Sequence, residues 1–137
     1  MTAIFERFNG ADAYLFTVPM WNGGIPWMLK LYVDILTQPG MVFGFDPASG
    51  YIPLLHGKKA TVIYTSGVYA PGVTEAFGTD FHATYFNDWL RFIGLTAVEE
   101  IRFQPTVLTA TPDEARQAAH QQARSLAAAA SVGRNVA

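Results

Sequence analysis

The chain has 137 residues, half of them hydrophobic and 14% aromatic, with 15% charged, a net charge of -2 and no cysteine. This is the size and composition of one domain that buries its own core, and it excludes disulfides, thiolate metal sites, a cysteine nucleophile and a basic surface for nucleic acid. No apolar run reaches the ~20 residues of a membrane span, and no charged-then-apolar leader opens the chain, so no membrane partner and a cytoplasmic location are expected.

Met1 to Phe8 read as the end of a helix, with Ile4, Phe5 and Phe8 at helical spacing and Asn9-Gly10 as the stop. Ala13 to Val18, AYLFTV, is a nearly continuous apolar run, as expected of a parallel strand covered on both faces. Pro19 ends it. Pro26 sits where a first-turn proline belongs, and Ile25, Met28, Leu29, Tyr32, Ile35 and Leu36 repeat at the spacing of one buried helical face, with Lys30 and Asp34 paired outside. Thr37 to Lys59 is rich in Gly and Pro and reads as a long functional excursion.

Ala60 to Thr65, ATVIYT, is a second buried strand, and it runs into the Gly-rich SGVYAPGVTEAFGTD. A helix is predicted from about Phe81 to Phe92, stopped by Gly94, with Phe81, Trp89 and Phe92 as core packing. LTAVEEIRF, from Leu95 to Phe103, is a third strand. Thr111-Pro112-Asp113-Glu114 opens a last helix with a cap, a first-turn proline and two acids at the positive dipole end, and its alanine-rich body frays near Gly133. The alternation of helix and strand predicts a single α/β domain over residues 1–137 with a doubly wound parallel sheet.

In such sheets ligands bind outside the carboxyl ends of the strands. Met20-Trp21-Asn22-Gly23 follows one strand and Thr65-Ser66-Gly67-Val68-Tyr69 the next, so both loops belong on one rim. Glycines there admit backbone N–H groups, Asn22 and Thr65 offer directional hydrogen bonds, and Met20, Trp21 and Tyr69 give apolar faces. A flat ring such as a flavin needs that mixture, and a slot built from Trp21, Asn22 and Thr65 is expected. Tight turns with an edge aromatic are the competing reading.

The remaining polar residues carry weaker signals. His56 and His120 read as solvated, and His82, which opens a helix beyond the second loop, divides between substrate contact and a capping or surface role. No histidine has metal-ligand spacing. Glu99 and Glu100 alternate faces on a strand and cannot form an acid/base pair. Ser66 with His82 and Asp80 lacks the nucleophile-elbow context of a hydrolase. Trp27 is placed at a subunit contact.

PMWNGGIPWMLKLYVD resembles the motif P-M-[YW]-N-x-x-I-P-x-x-L-K-x-x-x-D of FMN-dependent NADH:quinone and azo-compound oxidoreductases of the flavodoxin-like fold, through Pro19, Met20, Trp21, Asn22, Ile25, Pro26, Leu29, Lys30 and Asp34. The likeness continues through GMVFGF, LLHGKKATVIYTSG and FIGLTAVEEI, in order along almost the whole chain. The resemblance implies FMN and NAD(P)H as cofactors and a quinone or azo compound as substrate, with electrons passing through the flavin and no catalytic side chain of the protein's own. By the family pattern Pro19, Met20, Trp21, Asn22 and Gly23 meet one side of the ring, and Thr65, Ser66 and Gly67 the other. Tyr69 and His82 lie toward the substrate. Ser66 stands where the family commonly has a basic residue. A homodimer with flavin sites at the subunit interface is also implied.

In the flavodoxin-like order 2-1-3-4-5 the three strands correspond to the third, fourth and fifth, so the fold is a truncated one. The first two strands, and the Ser-rich loop that grips the FMN phosphate, have no counterpart in this sequence. Four missing charge-assisted hydrogen bonds at ~1.5 kcal/mol each amount to ~6 kcal/mol, about four decades in affinity. The AYLFTV strand is left with a naked edge that invites pairing with another chain. A fragment begun at an internal methionine, a half completed by a partner, and a truncated relative with a new task are three accounts of this. Two further functions stay open: a non-catalytic interaction or dimerisation domain, and an enzyme that uses the old flavin pocket for an aromatic small molecule.

Overall fold

The computed structural model describes residues 2–132, so Met1 and the fraying expected near Gly133 lie outside the described residues. The elements run α1 (Thr2–Asn9), β1 (Ala13–Pro19), α2 (Trp27–Leu36), β2 (Phe43–Asp46), β3 (Gly50–Pro53), β4 (Lys59–Thr65), α3 (Ala83–Ile93), β5 (Ala97–Phe103) and α4 (Pro112–Val132). β1, β4 and β5 form a parallel sheet in the order β1-β4-β5, as the correspondence to strands three, four and five requires. The register pairs Pro19 with Thr65, so the loops leaving β1 and β4 start side by side.

Alternation along the strands gives the sheet two unlike faces. Tyr14, Phe16 and Val18 of β1 and Ala60, Val62 and Tyr64 of β4 face α1, α2 and α3. Phe8 of α1 stacks on Tyr14 and meets Tyr32 of α2 and Trp89 of α3, while Phe86 of α3 meets Phe16 edge-on. Val33, Leu36, Leu55, Leu90, Ile93 and Leu95 complete this buried core, each large aliphatic side chain contributing about 1.5–3 kcal/mol. On the far face α4 packs along β5, over Ile101 and Phe103.

β1 is consequently not covered on both faces as its apolar run suggested. It is an edge strand, as its bare side in the sequence indicated, and Leu15 on its outer face is 68% exposed. On α2 the buried stripe is Leu29, Tyr32, Val33 and Leu36, whereas Met28 points outward with Trp27 and Leu31. The expected Lys30–Asp34 pair is present, at 2.6 Å on the surface, where it adds little.

The Gly- and Pro-rich stretch after α2 is not all loop. β2 and β3 form an antiparallel hairpin, turned by the Asp46 carboxylate, which accepts the N–H groups of Ala48 and Ser49 at 2.8 Å each. Those bonds hold the Asp46 carboxyl below its usual range. Gly57-Lys58-Lys59 has a structural duty, since Lys58 Nζ donates to the carbonyls of Asn9 and Ala11 at 2.7 Å and ties the end of α1 to the start of β4.

α3 begins at Ala83, later than expected, because Asp80 caps it by accepting the N–H groups of His82 and Ala83 at 2.9 and 2.7 Å. Phe81 is left outside the helix and exposed, not in the core, whereas Trp89 is buried and Phe92 packs partly buried against it. Gly94 ends α3 with φ at 105°, as the sequence indicated. β5 starts at Ala97, two residues late, because Leu95 turns back into the core.

Candidate functional site

The rim above β1 and β4 is shaped by local chemistry. Trp21 and Gly24 exchange two backbone hydrogen bonds, at 2.9 and 3.0 Å, around Asn22 with φ 51° and Gly23 with φ 81°. Two successive positive φ values define the tight turn that Asn-Gly favours. Met20 N–H donates to the Thr65 carbonyl at 2.8 Å and fixes this turn to β4.

The second wall is the Ser66–Tyr69 turn, closed by the Ser66 hydroxyl donating to the Tyr69 carbonyl. It is held from the β5 side, where Thr106 N–H donates to the Ser66 carbonyl and Val107 N–H to the Gly67 carbonyl, at 2.9 and 2.8 Å. A third wall, absent from the sequence expectation, is Phe77-Gly78-Thr79, which follows a single 3-10 turn over Glu75–Phe77. It is joined to the first wall by Phe81 N–H donating to the Gly23 carbonyl at 3.1 Å. Its sequence signal was the glycine of AFGTD, whose φ is 103°.

These walls enclose a cleft of about 380 Å³, lined by Met20, Asn22 and Gly23, by Ser66 to Tyr69, and by Phe77 to Thr79. It lies within the ~300–1,000 Å³ usual for small-molecule pockets. A Cβ added to Gly67 would meet nothing within 4 Å, so the backbone there is open to a guest. The Asn22 amide makes no hydrogen bond among the described residues and is free to face a ligand. The cleft can therefore offer apolar faces from Met20, Tyr69 and Phe77 and directed polar groups from Asn22 and the loop backbones.

The sequence-chosen residues divide. Met20, Asn22, Gly23, Ser66, Gly67 and Tyr69 line one cleft, and Pro19 ends the strand beneath it. Trp21 stands beside the cleft, 47% exposed, without lining it. Thr65 contributes only its carbonyl, to Met20. Its side chain takes the opposite face of the sheet and lines a separate cavity of about 240 Å³ with Ile63, Ile101 and Phe103, beneath Arg116 and His120 of α4. The expected slot of Trp21, Asn22 and Thr65 is corrected accordingly: of the three, only Asn22 lines the cleft, because strand alternation turns Thr65 away.

His82 is corrected too. It is fully buried behind β1, so it has neither a surface position nor an open face for substrate, and its side chain caps nothing. Burial lowers its pKa, partly offset by its bond to the Val18 carbonyl. Below it, the Tyr64 hydroxyl donates to Asn87, whose amide donates to Glu100, which pairs with Arg102 at 2.7 Å. Glu100 thus serves a structural network, and Glu99 lies exposed on the other face. Among the described residues no three His, Asp or Glu converge to hold a metal ion. No described helix is long and apolar enough to cross a membrane.

A protein-family model for the flavodoxin-like fold matches residues 1–127. The chain belongs to this family. The flavodoxin-like chain is 56% identical over 109 residues to an FMN-dependent NADH:quinone oxidoreductase of Ruegeria pomeroyi, covering 80% of this chain and 53% of that protein. A protein of the same description from Desulfotalea psychrophila is 47% identical over 104 residues, covering 76% of this chain and 49% of that one. Among solved structures, an FMN-dependent NADH-azoreductase of Bacillus anthracis, in complex with FMN, superposes with a TM-score of 0.83 at 25% identity over 93% of this chain and 60% of its own. The chain spans about half the length of the curated relatives it matches.

A flavin can be tested against this cleft residue by residue. The ring portion meets suitable groups: an open glycine backbone, a free amide and apolar walls. The phosphate does not, since no Lys, Arg or His lines the cleft among the described residues.

Proposed function

We propose that this flavodoxin-like chain carries the ring-binding part of an FMN-dependent NAD(P)H oxidoreductase that reduces quinones or azo compounds. The observation that carries the reading is the convergence of Met20, Asn22 and Gly23 with Ser66 to Tyr69 on one uncharged cleft, in a chain 56% identical over 109 residues to an FMN-dependent NADH:quinone oxidoreductase. When bound there, FMN supplies hydride acceptance from NAD(P)H and electron delivery to the acceptor. The chain's own part is to bind and orient. Asn22 offers its amide to the polar edge of the ring, the Gly67 backbone admits close approach, and Met20, Tyr69 and Phe77 exclude water from its faces. Pro19 and Trp21 hold the first wall, and Ser66 fixes the second through Tyr69.

Titration of the chain with FMN, followed by addition of NADH, tests the proposal. A bound, quenched flavin whose visible band bleaches with NADH and returns with a quinone is expected. A chain that quenches no flavin at any attainable concentration overturns it.

We further infer that the working form is a homodimer in the cytoplasm. Trp27, Met28 and Leu31, each more than half exposed on the outer side of α2, support a contact with a second copy. The open edge of β1, with Leu15 outward, favours a second reading, a non-catalytic interaction domain that assembles through this strand. Light scattering with and without FMN separates the two: assembly indifferent to flavin, in a chain that binds none, selects the interaction domain.

A further inference from the structure

His82 stands behind the cleft rather than in it. Its ring packs edge-on to Tyr64 at 4.9 Å and 79°, and its Nε2 lies 2.6 Å from the carbonyl of Val18. A carbonyl only accepts, so Nε2 carries the proton of a neutral ring and Nδ1 is left as a lone pair. That Nδ1 is buried and has no partner among the described residues. Val18 precedes Met20 by two residues at the end of β1, and on the other side of the turn Gly23 accepts Phe81 N–H at 3.1 Å. The wall from Met20 to Gly23 is therefore held by Thr65, by Phe81 and, beyond the β1–β4 pairing that carries Val18 and Pro19, by His82 through the Val18 carbonyl. Only the last of these is an ionisable side chain.

We propose that His82 is a positioning residue whose neutral imidazole, by holding the Val18 carbonyl, sets where the Met20–Gly23 wall stands and so tunes the cleft's grip on a planar ring. The inference rests on the flavin-site reading and deepens it by naming its control. The charged and titratable groups that face the imidazole are Tyr64 from β4, Arg102 from β5, lying over the Tyr64 ring, and Asp80 from the turn before α3. β1 brings only the Val18 carbonyl. Burial is the largest influence and favours the neutral ring, the bond to Val18 comes next and opposes it, and Arg102 acts in the same direction as burial. Asp80 sides with the Val18 bond against them, but its Oδ1 is already committed to the N–H groups of His82 and Ala83. A proton arriving in acid must settle on Nδ1, where the charge is buried and no acceptor waits. The bond to Val18 by itself survives protonation, since Nε2 keeps its proton; it is the buried charge on Nδ1 that favours an opened arrangement, in which the ring reaches water, leaves Val18 and frees the wall.

The test uses the full chain, FMN as the probe and two variants, at about pH 7.5 and about pH 5.5, either side of the ordinary histidine pKa. Wild-type affinity for FMN is expected to fall about tenfold on acidification, the equivalent of ~1.4 kcal/mol. His82→Gln, whose amide can donate to Val18 without titrating, keeps the neutral-pH affinity within about threefold and loses the acid step. His82→Leu, which cannot donate, binds about tenfold more weakly at both pH values. Nuclear magnetic resonance of the flavin-free protein supplies a second readout: the backbone amides of Met20, Asn22 and Gly23 should shift together with the His82 ring nitrogens in the wild type and stay still in His82→Gln. An acid step that survives in His82→Gln, or loop amides that ignore the titration of the ring, overturns the proposal. If the wild type binds no FMN at either pH, the flavin reading falls and the amide shifts still decide the role of His82; if His82→Leu does not fold, His82→Gln decides it alone.

Discussion

The N–H of Met20 donates to the carbonyl of Thr65 at 2.8 Å, and this bond ties the first wall of the cleft to the end of the strand that leads into the second. It also explains why the pair contributes so unequally. Met20 has left the strand and can turn its side chain into the cleft, whereas Thr65 is still in β4 and must alternate to the opposite face. Thr65→Val should therefore change flavin affinity by less than about twofold, since only the Thr65 carbonyl is used. Parallel titrations of variant and wild type with FMN check this, and a tenfold loss would place the Thr65 hydroxyl at the ligand.

Asn22 combines two tasks that a pair of substitutions can separate. Its φ of 51° asks for a residue tolerant of the left-handed region, and it lines the cleft. Asn22→Gly keeps the turn and removes the amide, so stability should hold within about 0.5 kcal/mol while flavin affinity drops roughly tenfold. Asn22→Val keeps neither, and its thermal midpoint should fall as well, because a β-branched residue is strained there.

The uncharged lining of the cleft predicts how the chain ranks its ligands. FMN and riboflavin differ by a phosphate, and no Lys, Arg or His lines the cleft among the described residues. The two should bind within about threefold of each other, instead of the roughly four decades expected where a phosphate loop makes four charge-assisted bonds. Competition between them, read by flavin fluorescence, measures the ratio; a strong preference for FMN would reveal a phosphate site elsewhere on the chain.

Gly94 is predicted to be intolerant of a side chain. Its φ is 105°, and a Cβ there would come 2.2 Å from the Leu55 carbonyl oxygen, a backbone atom that cannot step aside. Gly94→Ala should cost at least about 2 kcal/mol by urea unfolding, combining left-handed strain with the clash. No loss in the denaturation midpoint would mean that the α3–β5 turn relaxes freely.

Stability should decline at both ends of the pH scale, for opposite reasons. The His82 pKa is lowered by burial, so the unfolded chain binds the proton more readily. Its contribution is complete above the ordinary histidine pKa near 6.5 and is lost as the pH falls from there through the folded value. Tyr14 is raised to about 12 by burial, with Tyr32 and Asp12 adding to the effect, and donates its hydroxyl to the Phe8 carbonyl. The unfolded tyrosine ionises first, near pH 10, so this contribution fades as the pH climbs from about 10 through about 12. Denaturant midpoints across the range check both limbs; His82→Gln should reduce the acid one and Tyr14→Phe the alkaline one, which Tyr64, Tyr32 and Tyr85, all raised by burial, share with Tyr14.

Much of this molecule was legible in its sequence. Three apolar runs with helical stretches between them fixed the parallel sheet, because a parallel strand needs a crossover and periodicity shows the crossover to be a helix. The motif around Asn22 and the glycines beside Ser66 located the cleft's first two walls, because backbone conformations that demand Gly or Asn leave a local mark. The hairpin over Phe43–Pro53 was missed, since its four-residue strands are too short to show an alternation among glycines and prolines. Tertiary structure alone decided the rest, by juxtaposing residues far apart in the chain. It left the outer face of β1 bare, exposing Leu15 from a run that reads as core; it brought Phe77 to Thr79 across as a third wall; and it drove His82 under β1 to meet Val18, 64 residues away. Such contacts depend on which surfaces the packed sheet leaves open, and no local pattern encodes that.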